Sequence, residues 1–332
     1  WIEPVATGEA SPDAPHGKLV YRYPSNPRGY FDENNEVIGR INSAGFRGRE
    51  TTLRKPPGVI RVAFLGDSFC LGIGVKDDHT LPARFEESMR NAQAEVEALN
   101  FGKSATSTDQ QVDLLRDYVL RFDPDVVIVV MFLNDADRIM TIKFLSRPVI
   151  LARIRKHSQF LNASFLAIER PLLERAMVRH YHQGYTDDSE GWNSIVTALE
   201  AGKRLSEEHN IGFLVTVYPV LIHLDGGRYP FTEIHQKIER TCESMRIPFV
   251  DLLPAFLGET DYEMWVHPTD QHPNEVAQAI AGEYLSDSLL GKAPFSNIEI
   301  EDRERAGGLF PRSTLSQTSP SERATAPTTV GR

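Results

Sequence analysis

Ile60-Arg61-Val62-Ala63-Phe64-Leu65-Gly66-Asp67-Ser68-Phe69 is the stretch that decides the fold. A short, β-branched apolar run ends abruptly in Gly66-Asp67, as a buried parallel strand does where the chain turns back into a helix. Just upstream, Lys55-Pro56-Pro57-Gly58 is a stop signal. Downstream the same alternation repeats. A helix is predicted from about Thr80, with Leu81, Phe85 and Met89 four apart on one face. Val96-Glu97-Ala98-Leu99-Asn100 reads as a second strand. Asp109 is placed to cap a helix carrying Val112, Leu115 and Val119, which Pro124 stops. Val126 through Phe132 shows no polar alternation and belongs in the centre of a sheet covered on both faces.

A long helical region, about 139–208, interrupts this rhythm. It is followed by a strand at 212–218, a helix carrying Ile234, Ile238, Cys242 and Met245, a strand at 248–251, and a last helix starting near Asn274. Strands separated by crossovers this long make a parallel sheet with helices on both faces, an α/β three-layer α/β/α sandwich of flavodoxin-like type. The expected organisation is an irregular lead-in over 1–58, one domain over 59–292 with the helical insertion inside it, and a tail over 303–332. That tail is rich in Ser, Thr, Pro and Arg, as in Ser316-Gln317-Thr318-Ser319-Pro320, and is expected to be disordered.

The 332 residues are 41% hydrophobic and 25% charged, which excludes collagen-like, coiled-coil and wholly disordered chains. A formal net charge of −10 supplies no positive field for nucleic acid or anionic lipid, so neither is an expected partner. Cys70 and Cys242 form neither a disulfide framework nor a zinc motif. No apolar run reaches the roughly 18 residues that span a bilayer. The chain begins at Trp1 and not Met, which reads as a processed product or fragment and leaves room for an upstream signal peptide or membrane anchor. Periplasm, membrane anchorage and cytoplasm all stay open, and so does the oligomeric state.

Open parallel sheets bind ligands beyond the carboxyl ends of their strands. Four polar clusters stand there: Gly66-Asp67-Ser68-Phe69 after the first strand, Asn100-Phe101-Gly102-Lys103-Ser104-Ala105 after the second, Asn134-Asp135 after the third, and Asp270-Gln271-His272-Pro273-Asn274 before the last helix. In this set, in order, the chain resembles the SGNH (GDSL-type) hydrolases. Gly66-Asp67-Ser68-Phe69 is similar to that family's first block, Asn134-Asp135 to its third and Asp270-Gln271-His272-Pro273-Asn274 to its last, and the likeness covers about residues 60–290. The lead-in Asn42-Ser43-Ala44-Gly45-Phe46-Arg47-Gly48 also resembles bacterial members found with polysaccharide and cell-envelope genes.

The resemblance implies serine acyl transfer without metal or organic cofactor. Ser68 is then the nucleophile, His272 its base and Asp270 the carboxylate that orients the imidazole. The resemblance assigns the oxyanion hole to the backbone N–H of Ser68, a backbone N–H in the second block and the Asn134 side chain. Counting from Asn100, the family's second-block glycine falls on Ala105, which leaves Gly102 as a turn residue. One residue, Gln271, separates Asp270 from His272 where many members have two, and Thr269 stands at the more usual position. The expected activity is hydrolysis of an acyl ester, favoured as O-acetyl on carbohydrate, from a small-molecule or glycan substrate. Two alternatives remain: an O-acyltransferase with the same triad acting on a glycan, and a non-catalytic binding or assembly protein on the same fold.

Plainer roles are expected for the neighbours. Asp67 and Asp135 brace loops, Asn274 caps the last helix behind Pro273, and Cys70 fills space behind Ser68. His267 competes for the role of base but lacks the Pro-Asn-helix context. His180 and His182 read as solvated helix-end residues, and His235 forms no helical metal motif. Arg153-Ile154-Arg155-Lys156-His157 reads as an exposed basic face. The apolar residues of the insertion, from Phe144 to Leu161, fit either a cap that shapes the acyl or alcohol pocket or a structural layer.

Overall fold

The computed structural model describes residues 17–137, 159–292 and 295. The lead-in opens with an antiparallel hairpin, β1 (Lys18–Arg22) and β2 (Glu36–Arg40). Five strands then form a parallel sheet: β3 (Ile60–Gly66), β4 (Val96–Asn100), β5 (Val126–Met131), β6 (Gly212–Val217) and β7 (Phe249–Asp251), in the spatial order β4-β3-β5-β6-β7. All six residues of β5 are buried, which fits a run of branched side chains with no polar face. In β3 the one charged residue, Arg61, is also fully buried. It pairs with Glu97 at 2.7 Å and donates to the carbonyls of Thr52, Leu53 and Phe122, so the cation sits satisfied at the amino end of the sheet.

The helices are α1 (Ser68–Leu71), α2 (Leu81–Asn91), α3 (Thr108–Asp117), α4 (Gln159–Gly184), α5 (Glu190–Glu208), α6 (Thr232–Ser244), α7 (Leu253–Phe256) and α8 (Glu275–Leu289). Crossovers run one way from β3 to β4 and the other way through β5 to β6, so right-handed connections place helices on opposite faces. Helices α2 and α8 pack together as one layer, and α3 and α5 as the other. None of the described helices is long and apolar enough to cross a membrane.

Two local expectations change. Helix α3 starts earlier than Asp109: Ser107 is its N-cap, and its backbone N–H donates to the Gln110 side chain at 3.1 Å, which leaves Asp109 in the first turn. The Ser-x-x-Gln pairing satisfies both ends of the cap and outcompetes a lone Asp. The helical region divides into α4 and α5. Helix α5 is the β5-to-β6 crossover, with Trp192, Ile195 and Leu199 buried in the core. The last turns of α4 pack through Met177, Val178 and Tyr181. His180 and His182 lie near the helix end, partly exposed, and each also has a partner: His180 Nε2 lies 2.9 Å from Asp137 and His182 Nε2 donates to the Pro230 carbonyl at 2.9 Å. Residues 144–157 with their basic stretch, the Phe160 and Leu161 side chains, and the 303–332 tail lie outside the described residues.

The strand order is that of a flavodoxin-like sheet, whose ligand crevice lies where successive connections leave in opposite directions. Here that place is the carboxyl edge of β3 and β5. A second antiparallel hairpin, β8 (Trp265–His267) and β9 (Asp270–Pro273), precedes α8. The lead-in is more ordered than its composition suggests. Tyr21, Tyr23, Phe31 and Val37 build a small second core with Val75 and Val266, and Arg47 bridges to Asn100 at the end of β4.

Candidate active site

Gly66 closes β3 against its neighbours: a Cβ there would lie 2.6 Å from Cys70 Cβ and 2.9 Å from the Val130 carbonyl oxygen. Only glycine permits so tight a turn from strand to helix. Asp67 then caps α1, its Oδ1 accepting the Phe69 N–H at 2.9 Å, and Ser68 becomes the first helical residue. From the other side of the sequence, Asn274 caps α8 by accepting the N–H groups of Val276 and Ala277, each at 3.0 Å. Its Nδ2 donates to the carbonyls of Glu263 and Trp265. Asn274 is 1% exposed, so α8 and the β8–β9 hairpin are fixed together two residues after His272.

These two anchors bring Ser68, His272 and Asp270 into a line. Ser68 Oγ donates to His272 Nε2 at 3.0 Å, and His272 Nδ1 donates to Asp270 Oδ1 at 2.6 Å. The second bond fixes which ring nitrogen carries the proton. Asp270 Oδ1 also accepts the His272 backbone N–H at 3.1 Å, and Oδ2 accepts the Tyr23 hydroxyl at 3.3 Å. Burial pushes the His272 ring down, but the charge and hydrogen bond of Asp270, together with the charge of Asp67, outweigh it and raise the ring above its ordinary value. Burial pushes Asp270 up, and His272 and the donors around it bring it below the ordinary carboxylate range.

The third block lies beside Ser68. Asn134 Nδ2 donates to Asp67 Oδ2 at 3.0 Å, which sets the amide's orientation and leaves its second N–H uncommitted to that carboxylate. Asp135 is buried beneath and accepts the Thr108 hydroxyl at 2.8 Å. Burial raises both Asp67 and Asp135 above the carboxylate range. Asp67 thus braces its own turn through the Phe69 N–H, and Asp135 ties the third block to the start of α3 through Thr108.

The second block is tied to the carbonyl of Gly66, which accepts the Lys103 N–H at 2.9 Å and the Thr106 hydroxyl at 3.3 Å. Ala105 sits exposed in this loop with φ +61°, the left-handed conformation that glycine adopts without cost. Gly102 stands in a turn and is also required by close approach: its N–H donates to Asn100 Oδ1 at 3.0 Å, closing an Asx turn, and a Cβ there would fall 2.3 Å from the Leu71 nitrogen.

The remaining candidates lie elsewhere. His267 Nε2 donates to Ser25 at 3.1 Å and its Nδ1 faces Thr269 at 2.8 Å, while the ring stacks on Tyr23. Thr269 thus serves His267 and not His272. His235 pairs with Asp251 at 2.8 Å within α6 and β7. Cys70 is fully buried against Asn100, and burial pushes its thiol well up. Among the described residues no group of three or more His, Cys, Asp or Glu side chains is gathered as a metal would need.

Two residues of the site were missed in the sequence. Tyr23 reaches Asp270 from the lead-in. Arg47, its side chain 1% exposed, donates to Asp77 at 2.9 Å and to the carbonyls of Leu71, Gly72 and Val75, at and just beyond the end of α1. The one available signal was a bulky cation between small residues in Gly45-Phe46-Arg47-Gly48.

A search of curated proteins finds no match. Among solved structures, an acetylxylan esterase from Geobacillus stearothermophilus is 14% identical, covering 73% of this chain and 97% of its own, with a TM-score of 0.45. A psychrotrophic esterase from Pseudoalteromonas sp. is 14% identical, covering 69% and 96%, with a TM-score of 0.42. A two-domain esterase active on acetylated mannans is 15% identical over 70% of this chain and about half of its own (49%), with a TM-score of 0.44. The sequence model of the GDSL-like lipase/acylhydrolase family matches residues 64–280, more than half of the chain, and includes the end of β3, Ser68, the Asn134 block and the Asp270–His272 strand. The chain belongs to the GDSL-like lipase/acylhydrolase family and is a serine hydrolase acting on ester bonds.

Proposed function

We propose that the protein hydrolyses small acyl esters, O-acetyl groups on carbohydrate in the first place, through a Ser68-His272-Asp270 triad and a covalent acyl-enzyme. The observation that carries this reading is the unbroken chain from Ser68 Oγ through His272 to Asp270, at 3.0 and 2.6 Å. Ser68 Oγ attacks the ester carbonyl as its proton passes to His272 Nε2, and Asp270 stabilises the imidazolium that forms. The tetrahedral oxyanion takes hydrogen bonds from the Ser68 and Ala105 backbone N–H groups and the Asn134 amide, each donor worth roughly 3–4 kcal/mol to the transition state. Collapse breaks the ester C–O bond, and the imidazolium proton leaves with the alcohol. Water, deprotonated by His272, then attacks the acyl-serine, and its collapse releases the carboxylic acid and restores Ser68.

One feature supports a small acyl group and another the carbohydrate alcohol. Phe69 lies against Phe132 at 3.8 Å between ring centroids and edge-on to Tyr218 at 5.3 Å, so packed rings occupy the space beneath the nucleophile. The carbohydrate alcohol rests on the likeness of the 42–48 lead-in to polysaccharide-associated family members. An active-site fluorophosphonate, mapped by mass spectrometry, tests the triad. We expect one adduct, on Ser68, absent in Ser68→Ala and strongly reduced in His272→Ala. Labelling that survives both changes refutes the reading. Acetylated oligosaccharide, incubated with and without a second glycan, tests the fate of the acyl group: hydrolysis releases acetate in both, whereas acetyl appearing on the second glycan would make the enzyme a transferase.

A further inference from the structure

We propose that Tyr23, from the lead-in hairpin, is a positioning residue that holds the triad carboxylate through its outer oxygen. The proposal rests on the triad reading given above. Tyr23 is 4% exposed and its hydroxyl donates to Asp270 Oδ2 at 3.3 Å, across 247 residues of sequence. The other oxygen, Oδ1, takes the His272 ring at 2.6 Å and the His272 backbone N–H at 3.1 Å. The carboxylate is thus held at both oxygens, from β9 on one side and from the lead-in on the other. Held so, it cannot rotate away from the imidazole as the proton moves.

The tyrosine is itself fixed. Its ring stacks on Phe31 at 4.4 Å with planes 6° apart and on His267 at 5.6 Å. Its backbone N–H donates to the Asn35 carbonyl at 2.9 Å. Gly74 makes room for the hydroxyl, since a Cβ there would fall 2.1 Å from it. Burial and the neighbouring Asp270 charge push the Tyr23 hydroxyl up, so it remains a donor at every working pH. The other titratable groups facing this assembly are Asp67 toward His272, His267 toward Asp270, Tyr21 and Tyr30 toward Tyr23, and Arg28 toward His267.

The hydroxyl draws charge from Asp270 most strongly when the imidazole is neutral, because a protonated ring already neutralises the carboxylate. Removing it therefore favours the protonated ring. In Tyr23→Phe, which keeps the stack, we expect kcat to fall about three- to tenfold with KM within twofold. The acid limb of the kcat/KM profile should move to higher pH. Val37→Ala loosens the same small core without removing the ring stack on Tyr23, so it should lower thermal stability and leave the limb in place. Incorporation of 3-fluorotyrosine at position 23 preserves shape and strengthens the donor; it should move the limb to lower pH even if Tyr23→Phe does not fold. An unchanged limb in both Tyr23 variants, or an equal shift in Val37→Ala, overturns the proposal. Ser68→Ala distinguishes the two readings: residual activity there sinks the triad whatever Tyr23 does, while a dead Ser68→Ala with an indifferent Tyr23→Phe sinks only the positioning role.

Discussion

Asn274 invites the most exacting test of how this site is held. It sits in the last sequence block, where its place after His-Pro suggests chemistry, yet its four hydrogen bonds are all structural. In Asn274→Ala the N–H groups of Val276 and Ala277 lose their acceptor, and Ala277 is fully buried. An N-cap lost at such a position costs about 1–2 kcal/mol. The Glu263 carbonyl also loses its donor, whereas the Trp265 carbonyl keeps the Arg28 guanidinium at 2.6 Å. One stranded carbonyl near the surface adds about 1–2 kcal/mol, toward the low end of the range for buried groups. The total is about 2–4 kcal/mol, or a fall in Tm on the order of 5–12 °C for a domain this size.

Urea and thermal unfolding of the whole chain measure this directly. Asn274→Ser restores an acceptor to the helix end and should recover about 1 kcal/mol. At a temperature where every variant is folded, kcat of Asn274→Ala should still fall several-fold, because His272 stands two residues before the lost anchor and its register against Ser68 depends on it. A cost below about 1 kcal/mol, or a serine variant no better than alanine, would refute the argument that this residue clamps the hairpin to α8.

Three further outcomes follow from the same geometry. The activity-pH profile should rise through the ionisation of His272, with its midpoint above the ring's ordinary value, since the neutral ring is the base and Asp270 and Asp67 favour the charged one; Asp67→Asn should move that midpoint down. Arg47→Leu strands the Asp77 carboxylate and the carbonyls of Leu71, Gly72 and Val75, so unfolding experiments should show a loss of about 3 kcal/mol or more, and kcat should fall with it. Ala105→Gly relieves a left-handed alanine and should keep kcat within about twofold at equal or slightly higher stability, whereas Ala105→Val should lose roughly 1–2 kcal/mol and reduce kcat.

The sheet was legible because burial writes itself into a parallel strand: Val126–Met131 can sit nowhere but between two helical layers. The strand-end blocks were legible for the same reason, since each polar residue that follows such a strand is placed at the sheet's carboxyl edge by topology alone. The contacts from the lead-in were not. Tyr23 and Asp270 are 247 residues apart, and no local periodicity records that pairing. Segment 17–50 has few apolar residues, and its order comes from a handful of aromatics and from polar bonds that only the folded partner provides, as Arg47 with Asp77 shows. Gly102 was legible only in part. A glycine after a strand suggests a turn, and its N–H closes one on Asn100, but the space it clears for Leu71 has no local signal, and the left-handed position fell to an alanine that sequence preference argues against.

The placement of acids around His272 bears on how the proposed reaction is driven. Asp270 alone would suffice to orient the ring, yet Asp67 adds a second negative influence from the opposite element. Its cost falls on the resting enzyme, where a raised ring titration removes base at low pH. Its benefit falls where the proton has just arrived from Ser68, since an imidazolium facing two carboxylates is stabilised more than a neutral ring is disturbed. The same Asp67 would repel the developing oxyanion were it bare. It is not bare: its Oδ2 takes the Asn134 amide and its Oδ1 the Phe69 N–H, and these two donors offset part of its charge. Burial, which pushes Asp67 toward its neutral form, weakens that repulsion and, equally, its hold on the imidazolium. One aspartate thus serves both halves of the charge separation, provided that Asn134 holds its place. Asn134→Ala should therefore cost more in kcat than the loss of a single oxyanion donor, about 10²–10³, while Asp67→Asn combined with it should recover part of that loss. Strictly additive effects of the two changes would show that the carboxylate and the amide act independently.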